Sequence, residues 1–382
     1  MIIEDKIKCW CNNPEEEALQ QARNITKLPN LFGDVCLMPD THSGYGMPIG
    51  GVVALRNAIS PNMVGVDIGC GMLAVRTNLT DISTEQLKEI MGKIRNTVPV
   101  GFNHHKEAQK NLIFEDDDWN NTIICKQEKE SARYQIGTLG GGNHFIEIQK
   151  GDDGHIWFMI HSGSRNLGFK VANYYNKIAK EYCLKLGFDD IVKNELSFLT
   201  VGTEEAHNYI VEMMLCLNFS YQNRQMMSNQ IKNAFKEVME GVEFEKEINI
   251  HHNFASLENH NGHKVWVHRK GATKADKGVL GIIPSSQGTT SYIVEGRGNE
   301  LSFSSCSHGS GRRLSRTQAK EVLNLEEERK KLDDLGIIHS IRNVQDLEEA
   351  SSAYKDGETV MKEQEDLVKI VTKLKPLAVI KG

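Results

Sequence analysis

The sequence holds no CxxC pair, and its eight cysteines are scattered at positions 9, 11, 36, 70, 125, 183, 216 and 306. That spacing argues against a disulfide framework and for a reducing compartment with free thiols. No apolar run approaches membrane-spanning length, and the first residues, MIIEDKIKCW, lack the apolar core of a secretory signal. An internal repeat, a heptad pattern and a proline-rich linker are also missing, so nothing marks a coiled coil or a string of small domains. There is no excess of positive charge. The net charge of −6 argues against a protein coated in nucleic acid, although a local basic groove can still bind RNA. What remains is an ordinary soluble, cytoplasmic composition, 39% hydrophobic and 25% charged, in a chain of 382 residues long enough for a large core.

Secondary-structure signals mix without a steady βαβ alternation, which predicts an α+β fold: mixed β-sheets in the core, flanking helices, and one domain over 1–382. NPEEEALQQARNITKLP (13–29) reads as a helix stopped by Pro29. MPDTHSGYGMPIGGVVAL (38–55) and MVGVDIGCGMLAV (63–75) read as strands joined by glycine turns. Residues 103–134, with FEDDDWNN at 114–121, read as a polar, solvated insertion. Strands are expected at 142–149, 155–164, 248–258 and 264–273. Thr203 is placed to cap a long helix over about 204–240, whose methionines are core fillers. Ser315 and Gln318 form a capping box for a helix running to Leu335, with Gly336 ending it.

The stretch MVGVDIGCGM raises a chemical question, because an apolar segment carries one carboxylate, Asp67, and one thiol, Cys70. A buried carboxylate needs a metal, a cation or backbone amides as its partner. Four histidines sit at the ends of apolar runs: His144 in LGGGNHFIEI, His161 in MIHSGSRN, His252 in INIHHNFA and His308 in SCSHGSGRR. Singly, each is more often a satisfied core or surface residue. Together with Asp67 and Cys70 they suit a site for one or two divalent metals, assembled at strand ends from residues far apart in sequence. The mixed ligand set leaves zinc, iron and manganese open.

The glycine-rich loops are weaker signals, since neither GVDIGCG nor LGGGNH fits GxxxxGK[ST] or GxGxxG. Residues 301–320, LSFSSCSHGSGRRLSRTQAK, contain no acidic side chain and precede a helix start, a setting that favours anions. A neutral imidazole there is suited to attack a phosphate, with arginines stabilising the charge. HKVWVHRKGATKADKG (263–278) interleaves basic and aromatic residues in a way that suits an RNA backbone, and a surface strand almost as well.

In order along the chain stand MPDTHSGYGMPIGG, GVDIGCGM, LGGGNHFIEI, HSGSRNLG, HHN, HRKGAT, HGSGR followed by SR, AYKD and the terminal IKG. From about residue 38 onward this array resembles the RtcB family of RNA-splicing ligases. The resemblance implies an RtcB-like catalytic domain that joins RNA 3′-phosphate or 2′,3′-cyclic phosphate ends to 5′-hydroxyl ends, in tRNA splicing or RNA repair. It implies GTP and two Mn²⁺ ions, held by Asp67, Cys70, His144, His161 and His252 with Cys70 as bridge. His308 would take GMP as a phosphoramidate. Asn143, Phe145, Glu147, Ser286, Ser291, Tyr354 and Lys381 would form the GMP pocket. Arg165 and Arg312 would bind phosphates, with Arg269 and Lys270 on the RNA side. An archease-like activator is an implied partner.

This sequence departs from the family pattern in three places. HGAGR becomes HGSGR at Ser310, PGSMGT becomes PSSQGT at Ser285 and Gln287, and the proline before AYKD is absent. These changes suggest a divergent, repair-type paralogue. Two rival readings are a metal-dependent phosphoesterase acting on RNA termini without a covalent nucleotide, and an idle RNA-binding scaffold that retains the fold.

Overall fold

A computed structural model describes residues 2–382, and the α+β expectation is met. One sheet has six strands, in spatial order Ile2–Glu4, Ile7–Cys9, Leu31–His42, Ile49–Leu55, His263–Lys270 and Asn253–His260. A second has seven: Phe244–His251, Gly71–Thr77, Ile156–Ser162, Phe145–Gly151, Val368–Lys381, Ser291–Gly296 and Leu280–Ile283. Pairing within the sheets is antiparallel except between Ile7–Cys9 and Leu31–His42.

The central strands of the seven-stranded sheet, Gly71–Thr77, Phe145–Gly151 and Ile156–Ser162, are buried on both faces, which explains why they read as nearly continuous apolar runs. Alternation sends Leu73, Val75, Ile146, Ile148, Phe158 and Ile160 toward the helices Thr84–Thr97 and Glu204–Val238, where Ile90, Ile94, Met227, Ile231 and Phe235 meet them. Met72, Ala74, Phe145, Trp157 and Met159 turn to the other face, against Ile282, Ile293 and Val379. Each fully buried aliphatic or aromatic side chain here contributes about 1.5–3 kcal/mol.

Register places the functional residues. Gly71 pairs with both Ser162 and His251, while His161 faces Met72 and Phe145. Four neighbouring strands therefore start or stop at one end of the sheet, next to Cys70, His144, His161 and His252. His252 lies where the chain leaves the seven-stranded sheet at His251 and enters the six-stranded one at Asn253.

Three expectations change. Asp67 and Cys70 lie in a turn that precedes the strand Gly71–Thr77, not within a strand. Residues 103–134 are largely at the surface, as expected, but are anchored by the buried Phe114, Trp119 and Cys125, and a helix begins at Ile124. The buried carboxylate of Glu212 accepts from the amides of Ile123, Ile124 and Cys125, so a charge on one helix caps the positive end of another. The helix after Ser315 is two helices, Arg316–Val322 and Leu325–Asp334, because Asn324 breaks the first and caps the second. The capping boxes of Ser83 and Ser315, the Thr203 cap and the left-handed Gly336 are present.

Candidate metal centre and nucleotide cavity

Cys70, His144 and His161 form a buried metal-binding arrangement, with ligand atoms all within 4.8 Å of one another. The Cys70 Sγ lies 3.5 Å from His144 Nε2 and 3.3 Å from His161 Nε2. Asp67 Oδ2 extends the group on one side, 3.2 Å from His144 Nε2, and His252 Nε2 extends it on the other, 3.4 Å from His161 Nε2. His251, in contrast, is held away by Arg224 and the Gly69 carbonyl.

The donor set fits a cation. His144 Nδ1 donates to the Leu139 carbonyl at 3.0 Å, and His161 Nδ1 to the Asn143 carbonyl at 3.1 Å. With its proton on Nδ1, His161 turns the Nε2 lone pair to the Cys70 sulfur, and His144 Nε2 faces both that sulfur and the Asp67 carboxylate, so a cation between them would meet four converging ligand atoms. Burial, reinforced by neighbouring cationic groups, pushes His161 and His252 well below the usual imidazole range, so both are neutral donors. Burial raises Asp67, but hydrogen bonding and charge from His144, with further donors including the Ser164 amide, outweigh it and keep the carboxylate ionised. Burial and the nearby Asp67 hold the Cys70 thiol well up in the metal-free protein, and a bound divalent ion reverses that balance. Gly163 must lack a side chain here, because a Cβ would overlap the Asp67 carboxylate.

Beside the cluster lies a cavity of about 320 Å³, lined by Ile49 of the six-stranded sheet and by Phe145 and Val379 of the seven-stranded one. His308 opens into it, its ring centroid 4.8 Å from that of His252. Gly271, in a left-handed conformation, keeps this wall open: a Cβ there would overlap the Ile49 side chain and stand 3.1 Å from His308 Cε1. Asp40, fully buried, accepts from His308 Nδ1 at 2.6 Å and from the amides of His308 and Gly309 at 3.1 and 3.3 Å. That leaves Nε2 as the nitrogen with a free lone pair.

Asn143, Phe145, Glu147, Ser286, Arg312, Tyr354 and Lys381 all line this cavity. Burial pushes the Glu147 carboxyl up to about 8, against the opposing influence of Gln149 and Lys381. Lys381 Nζ lies over the Phe145 ring and 3.1 Å from Glu349, which also pairs with Arg312 at 3.3 Å and accepts from the Tyr354 hydroxyl. The departures Ser285, Gln287 and Ser310 gather on the same wall, where the Ser285 and Ser310 hydroxyls lie 2.7 Å apart. Arg165 lies on the other side of the cluster, in a cleft with Asp67 and His144, and donates to Thr138 and the Gly101 carbonyl.

Three expected site residues are placed elsewhere. Arg269 is fully buried, and its guanidinium is taken up by Glu258 at 2.6 Å, Ser305 at 2.9 Å and the Phe303 carbonyl at 2.8 Å. Lys270 is buried and donates to the carbonyls of Tyr45 and Asn62, so neither side chain reaches the surface where the RNA side was expected. Ser291 lies behind the cavity wall, where its hydroxyl accepts from the Ser285 amide. Conversely, Asp40 and Glu349 went unread, because a single carboxylate in PDTH or EEAS carries no spacing signal. Arg224, buried in the long helix, ties the Gly69 and Ser162 carbonyls together beneath the cluster, and nothing in its local sequence marks it.

The family model described as tRNA-splicing ligase RtcB matches residues 21–123 and 115–382. The chain is 34% identical to the RNA-splicing ligase RtcB of Escherichia coli K12, over 98% of this chain and 97% of that protein. It is 33% identical to the tRNA-splicing ligase RtcB of Nanoarchaeum equitans, over 96% and 92% of the two chains. It is 30% identical to the RNA-splicing ligase RtcB homolog 1 of Entamoeba dispar, over 100% of this chain and 85% of that one.

Proposed function

The chain belongs to the RtcB family, and from that premise we propose that it is a GTP- and Mn²⁺-dependent RNA ligase joining 3′-phosphate or 2′,3′-cyclic phosphate ends to 5′-hydroxyl ends. The observation that carries this reading is the Asp40–His308 pair, which occupies Nδ1 and leaves Nε2 available at the nucleotide-sized cavity beside the metal-binding cluster. Asp67, Cys70, His144, His161 and His252 would hold two Mn²⁺ ions, which supply charge neutralisation at the transferring phosphoryl group. His308 Nε2 attacks the α-phosphorus of GTP, and pyrophosphate leaves. An oxygen of the RNA 3′-phosphate, which water first frees where the end is a 2′,3′-cyclic phosphate, then displaces His308, and the 5′-hydroxyl finally displaces GMP to seal the strand. Glu147, giving up its proton as guanine binds, would accept from guanine N1 and N2, with Phe145 and Tyr354 flanking the base and Lys381 donating to it. Arg312 serves the phosphates.

A phosphoesterase without a covalent nucleotide would use the cluster but has no role for the Asp40–His308 pair, Glu147 or Lys381. Incubation with α-labelled GTP and Mn²⁺ decides between the two. An acid-labile protein–GMP adduct is expected, lost in His308→Ala. Its absence from the wild-type protein, together with phosphate release from RNA ends without GTP, would favour the phosphoesterase.

A further inference from the structure

Phe102 is 100% exposed and Phe169 is 50% exposed, and both line the cleft of about 820 Å³ that opens over the cluster at Asp67 and His144. An exposed phenyl ring contributes little to folding, so two on one cleft call for a ligand. Both are held on fixed supports. Phe102 follows Gly101, whose amide donates to the Gly140 carbonyl at 2.9 Å and whose carbonyl accepts from Arg165 at 2.9 Å. Phe169 stands in the first turns of the helix Arg165–Lys185.

The charge of the cleft identifies the class of ligand. Arg165 and Arg316 line it together with the two rings, and the Arg316 guanidinium is half-exposed, with only loose contacts of 3.8–4.0 Å to Glu349 and Glu348. Aromatic faces interleaved with guanidinium groups match single-stranded nucleic acid, whose bases stack while its phosphates seek cations. The cleft also meets the nucleotide cavity: Asn143 and Arg316 line both. A strand lying in the cleft therefore ends where the two cavities join, within reach of the site of guanylylation.

We propose that this cleft seats the unpaired terminal nucleotides of the RNA, with Phe102 and Phe169 stacking on bases and Arg165 and Arg316 meeting backbone phosphates. The assignment rests on the RNA-ligase reading and adds the side chains that bind the substrate.

The test is a Phe102→Ala/Phe169→Ala double variant, compared with the corresponding double Trp variant. The affinity for a short single-stranded RNA bearing a 3′-phosphate is measured without GTP or Mn²⁺, and guanylylation is measured separately. The alanine variant should bind RNA about thirtyfold more weakly or worse, the tryptophan variant like wild type. RNA with abasic terminal positions should bind the wild-type protein as weakly as intact RNA binds the alanine variant, with no further loss when the two are combined. Guanylylation, which needs no RNA, should be unchanged. Equal affinity of the wild-type and alanine proteins for intact RNA overturns the proposal. So does a variant that loses only its response to an activating protein, since the cleft would then be a protein-docking surface. Failure of the wild-type protein to take GMP would instead count against the ligase reading, and the RNA-binding comparison would still be decisive for the cleft.

Discussion

The Nδ1 nitrogen of His308 lies 2.6 Å from Oδ2 of Asp40, a carboxylate with no exposed surface that also accepts from the His308 and Gly309 amides. An acceptor at that point keeps the proton on Nδ1 and the lone pair on Nε2. Asp40→Asn replaces an acceptor-only group with one that can donate, which favours the opposite tautomer. Guanylylation at saturating GTP is expected to slow by about a hundredfold or more with the fold retained. A rate within twofold of wild type would remove Asp40 from the mechanism.

Cys70 lies between two pairs of candidate ligands, Asp67 with His144 and His161 with His252. If its sulfur bridges two ions, Cys70→Ala should weaken both, whereas Asp67→Ala and His252→Ala should each weaken one. Equilibrium dialysis against Mn²⁺ reads this as bound ions per chain. Chelation of the wild-type protein should abolish guanylylation, and added Mn²⁺ should restore it. A Cys70→Ala protein that still binds two ions with wild-type affinity contradicts the bridge.

Glu147 gives a pH signature. Its carboxyl is raised by burial to about 8 from 4.5, so the folded, nucleotide-free protein holds a proton that the unfolded chain has released. The resulting stabilisation is complete below pH 4.5 and is lost as pH rises through about 8. In Glu147→Gln that slope should disappear, as followed by thermal unfolding between pH 5 and pH 9. Guanine, which offers two N–H donors, should draw the proton off. GTP binding at pH 7 should therefore release about one proton, seen as a dependence of calorimetric heat on buffer ionisation. Binding heat independent of the buffer would contradict ionisation of Glu147 by guanine.

Arg269 and Glu258 are expected to act on stability rather than on RNA. Breaking a buried pair costs about 3–5 kcal/mol because the remaining charge is left uncompensated. Glu258→Gln and Arg269→Ala should therefore both lower the urea midpoint, while RNA affinity of the folded protein and its salt dependence stay unchanged. Arg269 holds the Glu258 carboxyl down, at about 2, despite its burial, so this contribution is present above pH 4.5 and is lost as pH falls through 2. A reduced salt slope in Arg269→Ala would return the residue to the RNA side.

The positions of the converging thiol and imidazoles were legible in the sequence because each borders an apolar run that must become a strand: Cys70 before LAV, His144 before FIEI, and His161 at the end of IWFMI. Caps were legible for a similar reason, since Ser315 with Gln318 satisfies the first amides of a helix by local bonds alone. Burial was not. HRKGAT reads as a basic surface, yet its strand pairs on both sides, with Ile49–Leu55 and Asn253–His260, and covers Arg269 completely. Likewise nothing local marks Phe114, Trp119 and Cys125 as the buried anchors of the polar segment 103–134, or Glu212, remote in sequence, as the acceptor for the amides of Ile123 and Cys125.

By itself, then, the sequence determined the α+β class, the segments that become strands, and the thiol, carboxylate and imidazoles available for metal. Local spacing suffices for these, because backbone preference and side-chain chemistry are properties of short stretches. Tertiary structure decided which groups meet. The crossover of the chain between two sheets at His252 sets the cluster beside His308, and Asp40, 268 residues before it, fixes that ring. Pairings of this kind depend on sheet order and register, set by packing across the whole chain, and no short stretch encodes them.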